Sequence, residues 1–277
     1  MEICLTIAEL RAARQRSAGV ALVPTMGALH AGHVSLVRAA KFASKLVVVS
    51  IFVNPKQFGP TEDFSRYPRS FERDCELLEK EGVDLVFAPS VEEMYPPSSA
   101  SWVAVEGLSE KLDGRSRPGH FRGVATVVAK LFNIVQPDIA FFGQKDAAQL
   151  AIIRQMVRDL NTPVEVVGCP IVREPDGLAL SSRNAFLDSE QRKSAGVLHR
   201  ALMELEELFK SGESHAEVLV AAGKKVIAEE SSARLDYLDV VDPDTLDPIN
   251  SIRQPSLVAV AAYFGTTRLI DNTILSP

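Results

Sequence analysis

Five short apolar runs in the first two thirds of the chain do most to limit its fold: Val20–Val23, Leu46–Val53, Val83–Ala88, Ile139–Phe142 and Val164–Gly168. They are continuous rather than alternating, and rich in Val, Ile and Phe. That is the texture of strands covered on both faces, as in a parallel sheet. Helical patterns at His33–Ser44, Ser70–Glu81, Gly123–Ile134 and Asp146–Leu160 fall between the runs, long enough for right-handed crossovers. Thr6-x-x-Glu9 reads as a capping box opening a further helix over Thr6–Arg16. The expected architecture is α/β, a doubly wound Rossmann-like parallel sheet over residues 1–184. Beyond Asn184 the texture changes to helical stretches at Ser189–Lys210 and His215–Glu230, then strands at Leu235–Val241 and Leu257–Tyr263. This predicts a smaller C-terminal α+β domain over 185–277.

Composition excludes some functions. A net charge of −6 over 277 residues gives no general attraction to nucleic acid, and the longest apolar runs fall short of the roughly 20 residues that span a bilayer. Neither a nucleic-acid partner nor a membrane is expected. Met1-Glu2-Ile3-Cys4 lacks the basic start and apolar stretch of a secretory leader, and Cys4, Cys75 and Cys169 are scattered, with no Cys-x-x-Cys pair. The expected compartment is the cytoplasm, with neither disulfides nor a cysteine metal site.

Chemistry concentrates where the apolar runs end. Val20–Val23 runs into Pro24-Thr25-Met26-Gly27-Ala28-Leu29-His30-Ala31-Gly32-His33, and an amphipathic helix follows. In an open α/β sheet, ligands bind beyond the carboxyl ends of the strands, where helix N-termini offer free N–H groups to phosphate. His30 and His33, three residues apart, would share a face there and could both donate to phosphate oxygens, while Gly32 leaves room for a flat base. A lone histidine in such a place is more often structural, but a His-x-Gly-His group on a strand-to-helix turn is a more specific signal. It resembles the HIGH motif of the nucleotidylyltransferase superfamily, whose members attack the α-phosphate of a nucleoside triphosphate. The Gly-x-Gly-x-x-Gly fingerprint of dinucleotide-binding enzymes is absent.

Three more segments fit this location. Ile139–Phe142 ends in Gly143-Gln144-Lys145-Asp146, where Gly143 permits a turn, Lys145 can reach phosphate and Asp146 is placed to cap the next helix, with Gln149 three residues on. After a Pro175-Asp176-Gly177 turn, Leu180-Ser181-Ser182-Arg183 offers hydroxyl and guanidinium donors, although either serine could equally cap a helix. Asn54-Pro55-Lys56-Gln57 mixes amides with flanking aromatics, suited to holding a small polar acid. For the loop bearing Arg115, Arg117, His120 and Arg122, a substrate loop and a solvated loop both remain open.

Taken in order, Pro24–His33, Asn54–Gly59, Tyr67-Pro68-Arg69, Arg117–Gly123, Gly143–Asp146 and Leu180–Asn184 make the sequence closely resemble the pantoate–β-alanine ligase family over nearly the whole chain. The resemblance implies condensation of pantoate with β-alanine, with ATP cleaved to AMP and pyrophosphate through a pantoyl adenylate. It also implies Mg²⁺ and a homodimer. Carried over by position, Met26, Gly27, Ala28, Leu29, His30, Ala31, Gly32, His33, Gly143, Gln144, Lys145, Asp146, Val172, Leu180, Ser181, Ser182 and Arg183 would surround ATP. Gln57, Gln149 and Asn54 would hold substrate. His30, His33, Lys145 and Arg183 are the candidates for catalysis, as cationic donors to the triphosphate, with His33 matching the residue usually named as proton donor. Asp74 matches an acidic position associated with magnesium in some relatives, where Arg73 replaces a neighbouring acid. The competing readings are another nucleotidylyltransferase with the same sheet, and a noncatalytic nucleotide sensor.

Overall fold

A computed structural model describes residues 1–15, 19–60 and 62–277. Six strands form one parallel sheet: β1 (Glu2–Cys4), β2 (Val20–Thr25), β3 (Leu46–Ile51), β4 (Leu85–Phe87), β5 (Ile139–Gly143) and β6 (Glu165–Cys169), in the order β1-β4-β3-β2-β5-β6. The chain builds outward from β2 through β3 and β4, then returns to lay β5 and β6 on the other side. Strand order therefore reverses between β2 and β5, which pair at Ala21↔Ile139 and Leu22↔Ala140. A doubly wound sheet opens its ligand crevice at such a point.

Crossovers are made by α1 (Ile7–Arg14), α2 (Ala31–Ala43), α3 (Phe71–Lys80), the short α4 (Val91–Met94) and α5 (Asp113–Ser116), α6 (His120–Val135) and α7 (Ala147–Asp159). The capping box forms as the sequence predicts: Thr6 Oγ1 accepts from Glu9 N–H at 3.2 Å, and Glu9 Oε2 accepts from Thr6 N–H at 3.1 Å. The expected end of that helix at Arg16 lies outside the described residues. Strand β1 was not expected, because three residues carry too little pattern to register.

After Asn184 come α8 (Ser189–Ser194), α9 (Val197–Lys210), α10 (Ala216–Ala228), and an antiparallel sheet of β7 (Ala233–Val241), β8 (Ser256–Phe264) and β9 (Thr267–Leu275). The single helix expected over Ser189–Lys210 is broken at Ala195–Gly196. The sheet is apolar on both faces. Val258, Val260 and Phe264 of β8 pack with Leu198, Leu202 and Leu219 of α9 and α10, whereas Leu257, Ala259 and Ala261 join the core of the parallel sheet beside Phe121 and Leu150. That alternation seats the small sheet against the large one, close to the crevice. Among the described residues no helix is long and apolar enough to cross a membrane.

Candidate active site

A cleft opens beyond the carboxyl ends of β2 and β5, where topology placed it. Its first wall is the turn after β2. Gly27 has φ +80°, and a Cβ there would stand 3.0 Å from Asp74 Oδ2, so conformation and space both demand glycine. Ala28 follows at φ +51°, an uncommon backbone for a residue with a Cβ. The buried Asp74 carboxylate holds it, accepting from Ala28 N–H at 2.8 Å, Leu29 N–H at 2.9 Å and Ser70 Oγ at 3.0 Å. Asp74 is thus spent on the turn and does not face the cleft. Among the described residues no group of three His, Cys, Asp or Glu side chains could hold a metal ion. The observed work of Asp74 is to hold the turn, and its position lends no support to the expected magnesium role.

The turn delivers both imidazoles to the cleft in one tautomer. His30, the N-cap of α2, accepts Gly32 N–H at Nδ1 (3.2 Å), and His33 accepts His30 N–H at Nδ1 (3.3 Å). Each ring therefore carries its proton on Nε2, free to donate. Burial pushes the His30 imidazole down to about 4 and His33 to about 3, with Lys145 adding to both and His30 to the latter. The two rings are neutral at physiological pH, not cationic as the sequence suggested. The space left by the missing Cβ of Gly32 is taken by the His30 ring, 2.9 Å away, rather than kept for a base.

The opposite wall is the turn after β5. Lys145 lines the cleft, and its ammonium makes no hydrogen bond or ion pair among the described residues. Burial lowers its pKa. Asp146 occupies the N-cap position of α7, but its carboxylate caps nothing and faces the cleft; Gly143 and Gln149 line it too.

A tight hairpin closes the third side, Leu180 N–H donating to Val172 O at 2.9 Å around the Pro175-Asp176-Gly177 turn. Val172, Leu180, Ser181, Ser182 and Arg183 all reach the cleft. Ser181 also caps a short 3-10 turn through Arg183 N–H, and Ser182 Oγ lies 3.2 Å from Tyr67 Oη. Arg183 is held by Asp63, Nε to Oδ2 at 2.9 Å and Nη2 to Oδ1 at 3.1 Å.

The fourth side is an amide relay. Asn54 is buried and outside the cleft. Its Nδ2 donates to Gly123 O at 3.1 Å and to Gln57 Oε1 at 3.0 Å, leaving Gln57 Nε2 turned towards Met26 Sδ at 3.1 Å and the cleft. Asn54 thus orients the Gln57 amide from behind the lining. His120 Nδ1 donates to Gln57 O at 2.8 Å, while its Nε2 accepts from Arg117 at 2.9 Å; burial, assisted by Arg117, lowers its pKa to about 3. Arg117 in turn pairs with Glu62 at 2.6 Å. The undecided loop therefore divides: Arg117 and His120 line the cleft, whereas Arg115 pairs with Asp239 and Arg122 lies over the Trp102 ring.

Gly27, Ala28, Leu29, Ala31 and Gln144 stand behind the lining rather than on it. Sequence reasoning missed Glu62 and Asp63, the acids that hold the two guanidiniums. Their adjacency after Pro60 was the available signal, but their partners lie 55 and 120 residues away.

A doubly wound sheet with glycine-turn, imidazole, lysine and arginine donors converging at its switch point defines an enzyme that handles a phosphorylated nucleotide beside a small acid. The model of the family "Pantoate-beta-alanine ligase" matches residues 2–274. The chain belongs to the pantoate–β-alanine ligase family. It is 61% identical to the pantothenate synthetase of Koribacter versatilis, over 99% of this chain and 96% of that one. The crystal structure of pantothenate synthetase from Thermus thermophilus superposes with a TM-score of 0.97 at 52% identity, covering all of both chains. That of the Francisella tularensis ligase, described as complexed with β,γ-ATP and β-alanine, gives 0.82 at 34% identity, over 99% and 97% of the chains.

Proposed function

We propose that the chain joins pantoate to β-alanine through a pantoyl adenylate, with residues 1–184 holding both nucleotide and acid and residues 185–277 bracing that unit. The observation that carries this reading is the unpaired Lys145 ammonium facing two Nε2–H imidazoles across one cleft. A cation desolvated without an ion-pair partner in contact gains when an anion arrives to meet it. The nucleotide and amine described in the Francisella relative are the matching ligands.

In the first step a pantoate carboxylate oxygen attacks the α-phosphorus, and pyrophosphate leaves. Lys145 and Arg183 neutralise charge on the phosphates, and His30 and His33 donate neutral N–H hydrogen bonds to oxygens that become more negative in the transition state. Gln57 gives N–H to pantoate, and Gln149 lies beside it on the lining. In the second step the β-alanine amine attacks the acyl carbon and AMP departs, so placement matters more than a strong base. Asp146, whose carboxylate caps nothing and lines the cleft, would be the residue to hold a magnesium ion, which would supply charge neutralisation for the departing pyrophosphate.

Among the described residues no disulfide joins Cys4, Cys75 and Cys169, which suits the cytoplasm. A homodimer is implied by the family, and light scattering at two protein concentrations tests it. The activity is tested by incubating the chain with ATP and pantoate. The reading predicts pyrophosphate up to about one equivalent per site and then a stall, since the adenylate is shielded from water. Addition of β-alanine releases AMP and restores turnover. A stable nucleotide-linked product would instead support a different nucleotidyl transfer.

A further inference from the structure

The last strand of the small sheet carries two consecutive polar residues, Asp271 and Asn272, each 3% exposed. Buried polar side chains in a strand are retained only where they are hydrogen-bonded. Asn272 spends both amide hydrogens on one turn of the cleft, donating from Nδ2 to Gln144 O and to Lys145 O, both at 2.9 Å. Its own Oδ1 has no partner among the described residues. Asp271 accepts Arg173 Nη1 at 2.6 Å and Arg173 Nη2 at 2.9 Å, and Arg173 also donates to Gly177 O at 2.9 Å. Two neighbours on β9 therefore grip the two segments that flank the nucleotide side of the cleft, the 143–146 turn and the 172–180 hairpin.

Lysine has a long, flexible stem, so the direction of its ammonium depends on how firmly its own backbone is fixed. Both carbonyls that fix it here are held from the other sheet. We infer that Asn272 is a positioning residue for the reaction: it sets the Lys145 turn against the nucleotide phosphates, making the C-terminal sheet part of the active-site scaffold. This inference rests on the nucleotide reading of the cleft, not on which acid is activated there.

The test is a double-mutant cycle in the full chain. Asn272→Asp keeps the shape but turns an oxygen towards two carbonyl oxygens; Asn272→Ala removes the contact. Each is made with Lys145 intact and with Lys145→Ala, and ATP affinity is read by calorimetry alongside steady-state kinetics. With Lys145 present, both substitutions should raise the KM and Kd for ATP at least ~10-fold and leave the KM for β-alanine within ~2-fold; with Lys145→Ala the same changes should cost under ~3-fold, because residues acting through one another are not additive. Equal losses in both backgrounds, or equal changes in the constants for ATP and β-alanine, would show that Asn272 serves only general stability and overturn the inference. Should Asn272→Asp fail to fold, Asn272→Ser, which keeps one donor, carries the same comparison. If the wild type binds ATP without condensing the substrates, the ligase reading fails, while the affinity cycle still decides the role of Asn272.

Discussion

Asn54 Nδ2 stands 3.0 Å from Gln57 Oε1, and this contact decides which end of the Gln57 amide faces the cleft. The orientation of Asn54 is itself fixed by backbone, since Lys56 N–H donates to its Oδ1 at 3.2 Å and Gly123 O accepts from its Nδ2. Gln57 is left offering N–H, which suits a carboxylate or carbinol oxygen of an anionic acid. Gln57→Glu keeps the shape and reverses the polarity. It should lower kcat/KM for pantoate at least ~100-fold, in the range expected when a polar recognition group is left mismatched. Asn54→Asp should have a smaller effect of the same sign. Wild-type pantoate kinetics in Gln57→Glu would remove it from substrate binding.

Protonation of the buried imidazoles gives a prediction with a definite sign. His30, His33 and His120 have folded pKa values lowered from 6.5 to about 4, about 3 and about 3. Below pH 6.5 the unfolded chain binds protons at these positions that the folded chain refuses, so stability falls as pH drops from about 6.5 towards 3. The paired carboxylates Glu62 and Asp63, held below their ordinary range by Arg117 and Arg183, lose their contribution only at more acidic pH. Urea midpoints measured at pH 7, 6 and 5 should therefore decline above the range in which Glu62 and Asp63 lose their contribution. Imidazole NMR signals of the three rings should stay those of the neutral form down to pH 5. A ring that titrates near 6.5 would contradict its burial.

What the sequence made legible was local. Val20–Val23 reads as a covered strand because every residue in it is apolar, and Thr6-x-x-Glu9 announces a helix because the two halves of the cap are only three residues apart. Glu2–Cys4 is too short to show a period, and β9 was hidden by Arg268, Asp271 and Asn272, polar residues that are kept in a strand by partners elsewhere. The same limit applied to the site. His30 and His33 declared themselves by spacing, whereas the clamp of Arg183 by Asp63 spans 120 residues and follows from topology alone. Charge state was equally out of reach: His33 is neutral because of what buries it, and spacing carries no information on burial.

Lys145 and His33 approach the proposed phosphate position from opposite turns, so removing either should damage the chemical step and leave the fold intact. Lys145→Ala and His33→Ala are each expected to lower kcat at least ~100-fold, since one lost transition-state donor costs on the order of 3 kcal/mol. Lys145→Ala should also unfold no earlier than wild type, because the ammonium is half-buried, its charge is disfavoured by desolvation, and it makes no ion pair among the described residues. Thermal denaturation beside the kinetic assay checks both halves. Near-wild-type turnover in either variant would take that residue out of the mechanism.

The bond that breaks in ATP is the last prediction. Attack of the pantoate carboxylate on the α-phosphorus leaves one carboxylate oxygen in AMP once β-alanine has displaced it, whereas transfer of the γ-phosphoryl group would leave that oxygen in inorganic phosphate. The chain has no Gly-x-x-x-x-Gly-Lys loop of the kind that cradles a transferring γ-phosphate. Its donors instead sit at the N-terminus of α2 and on the facing Lys145 turn, around one cleft beyond β2 and β5, a geometry suited to the nucleotide end of the triphosphate. Pantoate labelled with ¹⁸O in its carboxylate, incubated with ATP and β-alanine, should therefore deliver label to AMP and none to phosphate, as read by mass spectrometry. Label found in phosphate would sink the adenylate step, and with it the roles assigned to His30, His33 and Arg183.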